Sequence, residues 1–173
     1  MTTGAWLKYA IVFLGVLLVR LLPFRAPNVE PLLSAVMPLT KRYGVLEGVA
    51  FAVFSIVLYD ALTAGIGIWT LVTALAYGSL AVGAYFYFEN KKPSRGNFVI
   101  YSIVAVLFYD LVTGLTVGPL AYGQSFSAAL AGQVPFTALH LLGAVFFAAV
   151  VSPLLYRWLQ ESEASAPALV KTR

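Results

Sequence analysis

Two short stretches carry the residues best suited to chemistry: LYDALTAGIG at 58–67 and FYDLVTGLTVG at 108–118. Each ends a long apolar run with an aspartate, in the same spelling, Tyr-Asp-x-x-Thr followed by glycine. A carboxylate beside hydrocarbon is expensive unless it meets a cation, a hydrogen-bond donor, water or a ligand. Asp60 and Asp110 therefore have two readings. Either they are structural, capping the turns that follow or pairing with Arg20 and Arg25, or they face a polar cavity and coordinate a solute. The segment RLLPFRAPNVEP at 20–31 adds Arg20, Arg25, Asn28 and Glu30. With the aspartates it makes a set of two arginines and three carboxylates, close to neutral, which suits a neutral or zwitterionic ligand better than a polyanion.

Other polar and aromatic residues lie near this set. Thr63 and Thr113 belong to the motifs, and Trp69, Gln124 and His140 follow them. His140 shares a helical face with Gln133 and Thr137, at spacings of seven and three, consistent with a lining stripe. A histidine bonded to a backbone carbonyl fits the same position. Trp69 and Tyr77 read as interface-belt aromatics, and Tyr85, Phe86, Tyr87 and Phe88, running into Glu89, read as belt residues with no ligand role.

Several enzyme classes lack their residues. The chain has no G-x-x-x-x-G-K-[ST] for ATP hydrolysis, no H-E-x-x-H and no G-x-S-x-G. One histidine and no cysteine make a zinc site a poor fit, and disulfides are excluded. A two-aspartate intramembrane protease needs carboxylates facing each other, whereas here each sits at a helix end beside Thr and Gly. The reading is of a protein that is not an enzyme and carries no cofactor.

The elements that position these residues are membrane helices. Of 173 residues 61% are hydrophobic and 10% charged, against about 45–50% and about 25% in soluble domains. So much apolar surface needs lipid as its solvent. A crossing helix requires about 20 apolar residues, and residues 5–22, 44–64, 66–88, 97–115 and 133–158 each qualify. PLLSAVMPLT at 31–40, bracketed by prolines, predicts a short, irregular second helix, a half-span or a span with irregular ends. The first run ends in arginine and proline without a small-residue cleavage site, so it reads as a retained span. LTVGPLAYGQSFSAALAG at 115–132 reads as a folded loop or interfacial segment. With six crossings and the N-terminus cytoplasmic, Lys8, Lys41, Arg42, Lys91, Lys92, Arg95, Arg157, Lys171 and Arg173 fall inside, and only Arg20 and Arg25 outside. Five crossings would dissolve that asymmetry. The net charge of +4 thus marks topology and not nucleic-acid binding.

The expectation is an all-α integral membrane protein with six transmembrane helices and cytoplasmic N- and C-termini. One membrane domain would cover 1–158, and 159–173 would be a disordered cytoplasmic tail. Asp60 and Asp110 then share the outer side, with or without an internal duplication of the hairpins 44–88 and 96–158. Small residues mark close approach: Gly44 and Gly48 at the third helix, and Ala144, Ala148 and Ser152 on the last, the latter a candidate partner surface.

A chain of this size with these polar outer loops and no energy module resembles the substrate-binding S components of energy-coupling factor (ECF) vitamin transporters. RLLPFRAPNVEPLLSAVMPLTKRYG and YDALTAGIGIWTLVTALAYG carry the likeness, which covers roughly residues 8–158. The resemblance implies capture of a vitamin-like small molecule on the outer face of a prokaryotic plasma membrane. It also implies partners: a transmembrane scaffold subunit and two ATPases that drive uptake. It assigns binding to Arg25, Asn28 and Glu30 in the first loop, to Asp60, Thr63 and Trp69, and to Asp110 and Thr113, beside the His140 read from the stripe. The chain departs from the family's Ala-x-x-x-Ala docking pattern on the first helix, having only Ala10 and Gly15 there. The rival expectation is a membrane scaffold or assembly protein, which needs no convergent polar cavity.

Overall fold

Hydrocarbon offers no partner to backbone N–H and C=O groups, so a lipid-embedded chain must satisfy them within helices or a closed barrel. This chain takes the helical route. A computed structural model describes residues 1–24, 29 and 31–164. Among them lie α1 (Thr3–Leu21), α2 (Leu32–Tyr43), α3 (Val45–Leu62), α4 (Ile68–Glu89), α5 (Arg95–Gly114), α6 (Val117–Tyr122) and α7 (Phe126–Ala164), with no strand among the described residues. Five are long and apolar enough to cross a bilayer: α1, α3, α4, the α5–α6 run Arg95–Tyr122, and α7. Their outward faces carry bare apolar side chains, such as Leu18, Phe54, Leu75, Val104 and Leu142. A multi-pass membrane protein presents that surface to acyl chains.

Contacts between helices fix their directions. Tyr9 Oη donates to the Glu47 carbonyl and Arg20 Nη1 to the Ser55 carbonyl, so α1 and α3 run parallel. The pairs Phe88–Phe98 and Tyr77–Tyr109 make α4 and α5 antiparallel. Phe98–Tyr156 and Asp110–His140 do the same for α5 and α7. Lys8 Nζ donates to the Trp158 carbonyl, bringing the start of α1 beside the end of α7. One end of the bundle therefore gathers Lys8, Lys41, Arg42, Lys91, Lys92, Arg95 and Arg157, while Asp60 and Asp110 lie toward the other.

Because α1 and α3 are parallel, residues 22–44 must bring the chain back along the bundle. The second helix shares that task. With 12 residues it is about 18 Å long, well short of a bilayer core. Leu32 through Thr40 are all buried, with α1, α3, α4, α5 and α7 around them. A helix enclosed by protein on every side needs no polar face. Pro38 lies inside it and cannot donate to the Ser34 carbonyl. That vacancy is filled from α7, whose Ser152 Oγ donates to the same carbonyl at 2.8 Å.

Small residues allow this packing. A Cβ on Gly48 would lie 1.9 Å from Thr40 Oγ1 and 3.2 Å from Thr40 Cα, so α2 and α3 touch almost backbone to backbone. Ala144, Ala148 and Ser152 are buried, which makes this stripe part of the internal core and removes it as a partner surface. The aromatic run at the end of α4 is corrected too. Phe86 faces outward, but Phe88 is fully buried against Phe98, and Tyr87 packs on Tyr101. The boundary expected at 158 falls within α7, which stays helical to Ala164 and buries Leu159; residues 165–173 lie outside the described set. The segment read as a loop at 115–132 holds α6 and the first turns of α7.

Gly48→Ala should lower stability by about 1–3 kcal/mol through overpacking, whereas Gly15→Ala, with open space at its Cβ, should leave the melting temperature in detergent unchanged. Ser152→Ala should cost about 1–3 kcal/mol by orphaning a buried carbonyl, and Ser152→Thr should recover part of that loss in the same measurement.

Candidate functional site

The last turns of α5 and the middle of α7 meet in a buried polar pair. Asp110 Oδ1 lies 2.8 Å from His140 Nδ1, and the two residues are 2% and 6% exposed. With the carboxylate ionised, Nδ1 carries the proton and donates it. Aromatic rings wall the imidazole: Tyr109 stands edge-on at 5.6 Å and Phe136 at 6.0 Å. Tyr77 from α4 packs on Tyr109 at 4.9 Å. The stripe read from spacing lies along the same contact. Gln133 donates to Thr137 Oγ1 at 3.0 Å, and its amide fills the space where Gly114 has no side chain. The second oxygen of Asp110 is buried and has no hydrogen-bond partner among the described residues.

The first motif repeats this plan with different partners. Arg20 reaches from α1, buried to 7% exposure, donates to the Ser55 carbonyl at 3.0 Å and lies over the Tyr59 ring at 4.1 Å. Each motif tyrosine therefore meets a nitrogen-rich side chain from another helix, Arg20 on Tyr59 and His140 on Tyr109. Asp60 is 8% exposed, and its Oδ2, like the Ser55 hydroxyl, is buried with no hydrogen-bond partner among the described residues.

The threonines explain part of the shared spelling. Thr63 Oγ1 donates to the Tyr59 carbonyl at 2.7 Å, and Thr113 Oγ1 to the Tyr109 carbonyl at 2.8 Å. At the end of α3 the Thr63 amide turns to the Asp60 carbonyl instead, and its hydroxyl covers the Tyr59 carbonyl in its place. Such local back-bonding is how Thr closes or bends a helix end. Both hydroxyls keep lone pairs but have committed their protons.

The residues expected at the site divide into three groups. Asp110, Thr113 and His140 come together, buried, between α5 and α7. Asp60 is buried at the end of α3, next to the Arg20–Tyr59 stack. Thr63 lies at the exposed end of α3 and Trp69 in the first turn of α4, at 42% exposure. Arg25, Asn28 and Glu30 lie outside the described residues. Their neighbour Val29 is described, and its Cα would be 3.0 Å from a Cβ on Gly143, one helical turn beyond His140. Val29 thus lies against the face of α7 that bears the histidine, and Gly143 makes room for its backbone.

Tyr77 is not a belt residue: it is 2% exposed and belongs to the aromatic wall. Together with Ser55, Tyr59, Tyr109 and Phe136 it completes the surroundings of the carboxylates. For Tyr59 and Tyr109 the signal was already in the motif, one residue before each aspartate. Chemically, two carboxylates with an unoccupied oxygen can accept hydrogen bonds from amide, amine or hydroxyl donors, and the rings offer faces for stacking. Among the described residues no group of three or more His, Asp or Glu could hold a metal ion.

The Asp110–His140 contact should show as energetic coupling. Asp110→Asn or His140→Ala alone should destabilise by about 3–5 kcal/mol, the range for stranding one member of a buried pair. The double variant should cost clearly less than the sum of the singles in a double-mutant cycle read by denaturation in detergent.

No protein-family model, no curated protein and no solved structure matches this chain, so its site is read from its own geometry.

Proposed function

We propose that the chain is the membrane-embedded substrate-binding subunit of an ECF-type importer, taking up a vitamin-like small molecule. The observation that carries this reading is the pair of buried carboxylate oxygens, Asp60 Oδ2 and Asp110 Oδ2, that have no hydrogen-bond partner among the described residues and lie toward the same end of the bundle. Buried polar atoms in native proteins are almost always satisfied, and exceptions inside membranes mark ligand or ion pathways. Ligand donors are the natural partners for these two.

The orientation follows from charge. Basic residues are retained on the cytoplasmic side, so the lysine- and arginine-rich end, with the start of α1 and the end of α7, is the inner one. In this reading residues 22–44 supply a sixth crossing, short in its helical part, and both termini are cytoplasmic in a prokaryotic plasma membrane. The aspartates then open outward. Asp60 and Asp110 accept hydrogen bonds from the solute, Tyr77, Tyr109 and Phe136 stack against it, and His140 holds Asp110 in place. Arg25, Asn28 and Glu30 of the first loop are further contacts that this reading assigns to the solute, with Thr63 and Trp69 at the rim and Thr113 below. A neutral or zwitterionic heteroaromatic compound rich in donors fits this chemistry. The chain has no nucleotide-binding loop, so transport energy comes from partner ATPases through a membrane scaffold subunit.

A thermal-shift panel of vitamins, nucleobases and their precursors on the purified protein tests this directly. A ligand at 100 times its Kd should stabilise the fold by about 2.7 kcal/mol. Asp60→Asn should abolish that shift while leaving the unliganded melting temperature near the wild-type value. A flat panel on folded, monodisperse protein, or an Asp60→Asn variant that keeps its ligand shift, would favour a membrane scaffold instead.

A further inference from the structure

A second concave site lies at the opposite, basic end of the bundle. It is a cavity of about 510 Å³ between the start of α5 and the last third of α7, lined by Ser94, Arg95, Val150, Leu154, Tyr156 and Arg157 among others. Its two ends differ in chemistry. Val150 and Leu154, both outward-facing, form an apolar floor continuous with the lipid-exposed surface of α7. Arg95 and Arg157 form the rim, exposed, and neither has an ion pair or side-chain hydrogen bond among the described residues, although Glu161 stands one turn beyond Arg157. Lys91 and Lys92, exposed in the α4–α5 connection, extend the positive field beside Arg95.

The cavity is also well held. The Phe98 and Tyr156 rings, 6.3 Å apart, fasten the first turn of α5 to α7, and Gln160 donates to Tyr156 Oη at 3.1 Å. Ser94 caps α5 by accepting from the Asn97 amide. Asn97 Nδ2 donates to the Lys92 carbonyl and shapes the connection that carries the lysines. The walls that carry the two arginines are thus secured independently of any ligand.

We infer that this cavity is a binding site for an anionic phospholipid of the surrounding leaflet, with the phosphate at Arg95 and Arg157 and an acyl chain along Val150 and Leu154. A guanidinium pairs well with phosphate oxygens, and basic pockets between transmembrane helices are a recognised seat for acidic headgroups. The combination selects a lipid over a free anion. Inorganic phosphate would satisfy the rim and leave the floor bare, and an acidic protein segment would leave an apolar groove opening onto hydrocarbon. This goes beyond solute binding at the aspartate end and does not depend on it.

The test is native mass spectrometry of the detergent-purified full chain, titrated with phosphatidylglycerol or phosphatidylcholine, for wild type and the R95Q/R157Q variant. Wild type should retain phosphatidylglycerol in preference to phosphatidylcholine. The variant should bind phosphatidylglycerol roughly thirtyfold more weakly, because two cations are removed from the membrane surface, with phosphatidylcholine adducts unchanged. Both substituted residues are exposed, so the variant's melting temperature in phosphatidylcholine nanodiscs should match wild type and certify its fold. Equal retention of the two lipids by wild type would overturn the proposal, as would undiminished phosphatidylglycerol binding by R95Q/R157Q. Displacement of the lipid by millimolar inorganic phosphate would reduce the site to a plain anion site. Displacement by a glutamate-rich peptide would assign it to an acidic partner protein. No vitamin-like ligand enters the readout, so its outcome stands apart from that of the solute-binding reading.

Discussion

Every polar group in this bundle must find a partner without help from water, and the architecture follows from how that is done. Where a helix is interrupted, a side chain supplies what the backbone gives up. Pro38 withholds an amide from the Ser34 carbonyl, and Ser152 donates across from α7. The end of α3 turns its Thr63 amide to Asp60, and the Thr63 hydroxyl takes over the Tyr59 carbonyl. Lys41 donates to the Phe88 carbonyl near the end of α4, and Lys8 to the Trp158 carbonyl within α7. The second oxygens of Asp60 and Asp110, like the Ser55 and Thr40 hydroxyls, have no hydrogen-bond partner among the described residues and are positions the fold leaves open.

Close packing gives the open positions their rigidity. Gly48 brings α3 onto Thr40, Gly114 admits the Gln133 amide, and Gly143 admits the backbone of Val29. Each uses the absence of a side chain to bring two elements nearer than other residues permit, the usual means of association where lipid removes the hydrophobic drive between helices. Large aromatics fill what remains. Tyr9 and Phe13 pack edge-on against Phe51 between α1 and α3, while Phe88, Phe98 and Tyr101 join α4 to α5. The carboxylates are therefore carried on helices locked at both ends.

Much of this was legible in the residues, and the parts that were not share a cause. Apolar length located the long helices closely: 44–64 against Val45–Leu62, and 66–88 against Ile68–Glu89. It failed at the start of α7, where Ser, Ala and Gly at 125–132 read as a loop although Ser125 accepts from the Ala128 amide as a helix N-cap and alanine favours the turns that follow. The two aspartates were legible because charge is costly beside hydrocarbon. Their partners were not, because pairing depends on rotation about the helix axis, which a run of uniformly apolar residues hardly encodes. The same blindness assigned Tyr77 and Phe88 to the interface, since nearness to a span end says nothing about which side of the helix a ring occupies. Of the lining stripe, only the spacing of Gln133, Thr137 and His140 could be read in advance, and its contact with α5 is a tertiary fact.

The enclosure of α2 bears on how the protein is made. A segment that enters a membrane by itself must prefer lipid to water along most of its length. This one carries Ser34, Thr40, Lys41, Arg42 and a mid-helix proline in twelve residues. Charged residues oppose insertion strongly when a helix stands alone in the translocon. Its stability comes from neighbours on every side, and four of those, α3, α4, α5 and α7, are synthesised after it. The second helix is therefore a late settler: α1 and α3 can partition as independent hydrophobic segments, while α2 waits at the interface or in a protected channel until α7 arrives with the Ser152 hydroxyl. Biogenesis of the bundle is then completed from its C-terminal end, and a chain truncated before α7 would leave its central helix without a membrane-stable place to go.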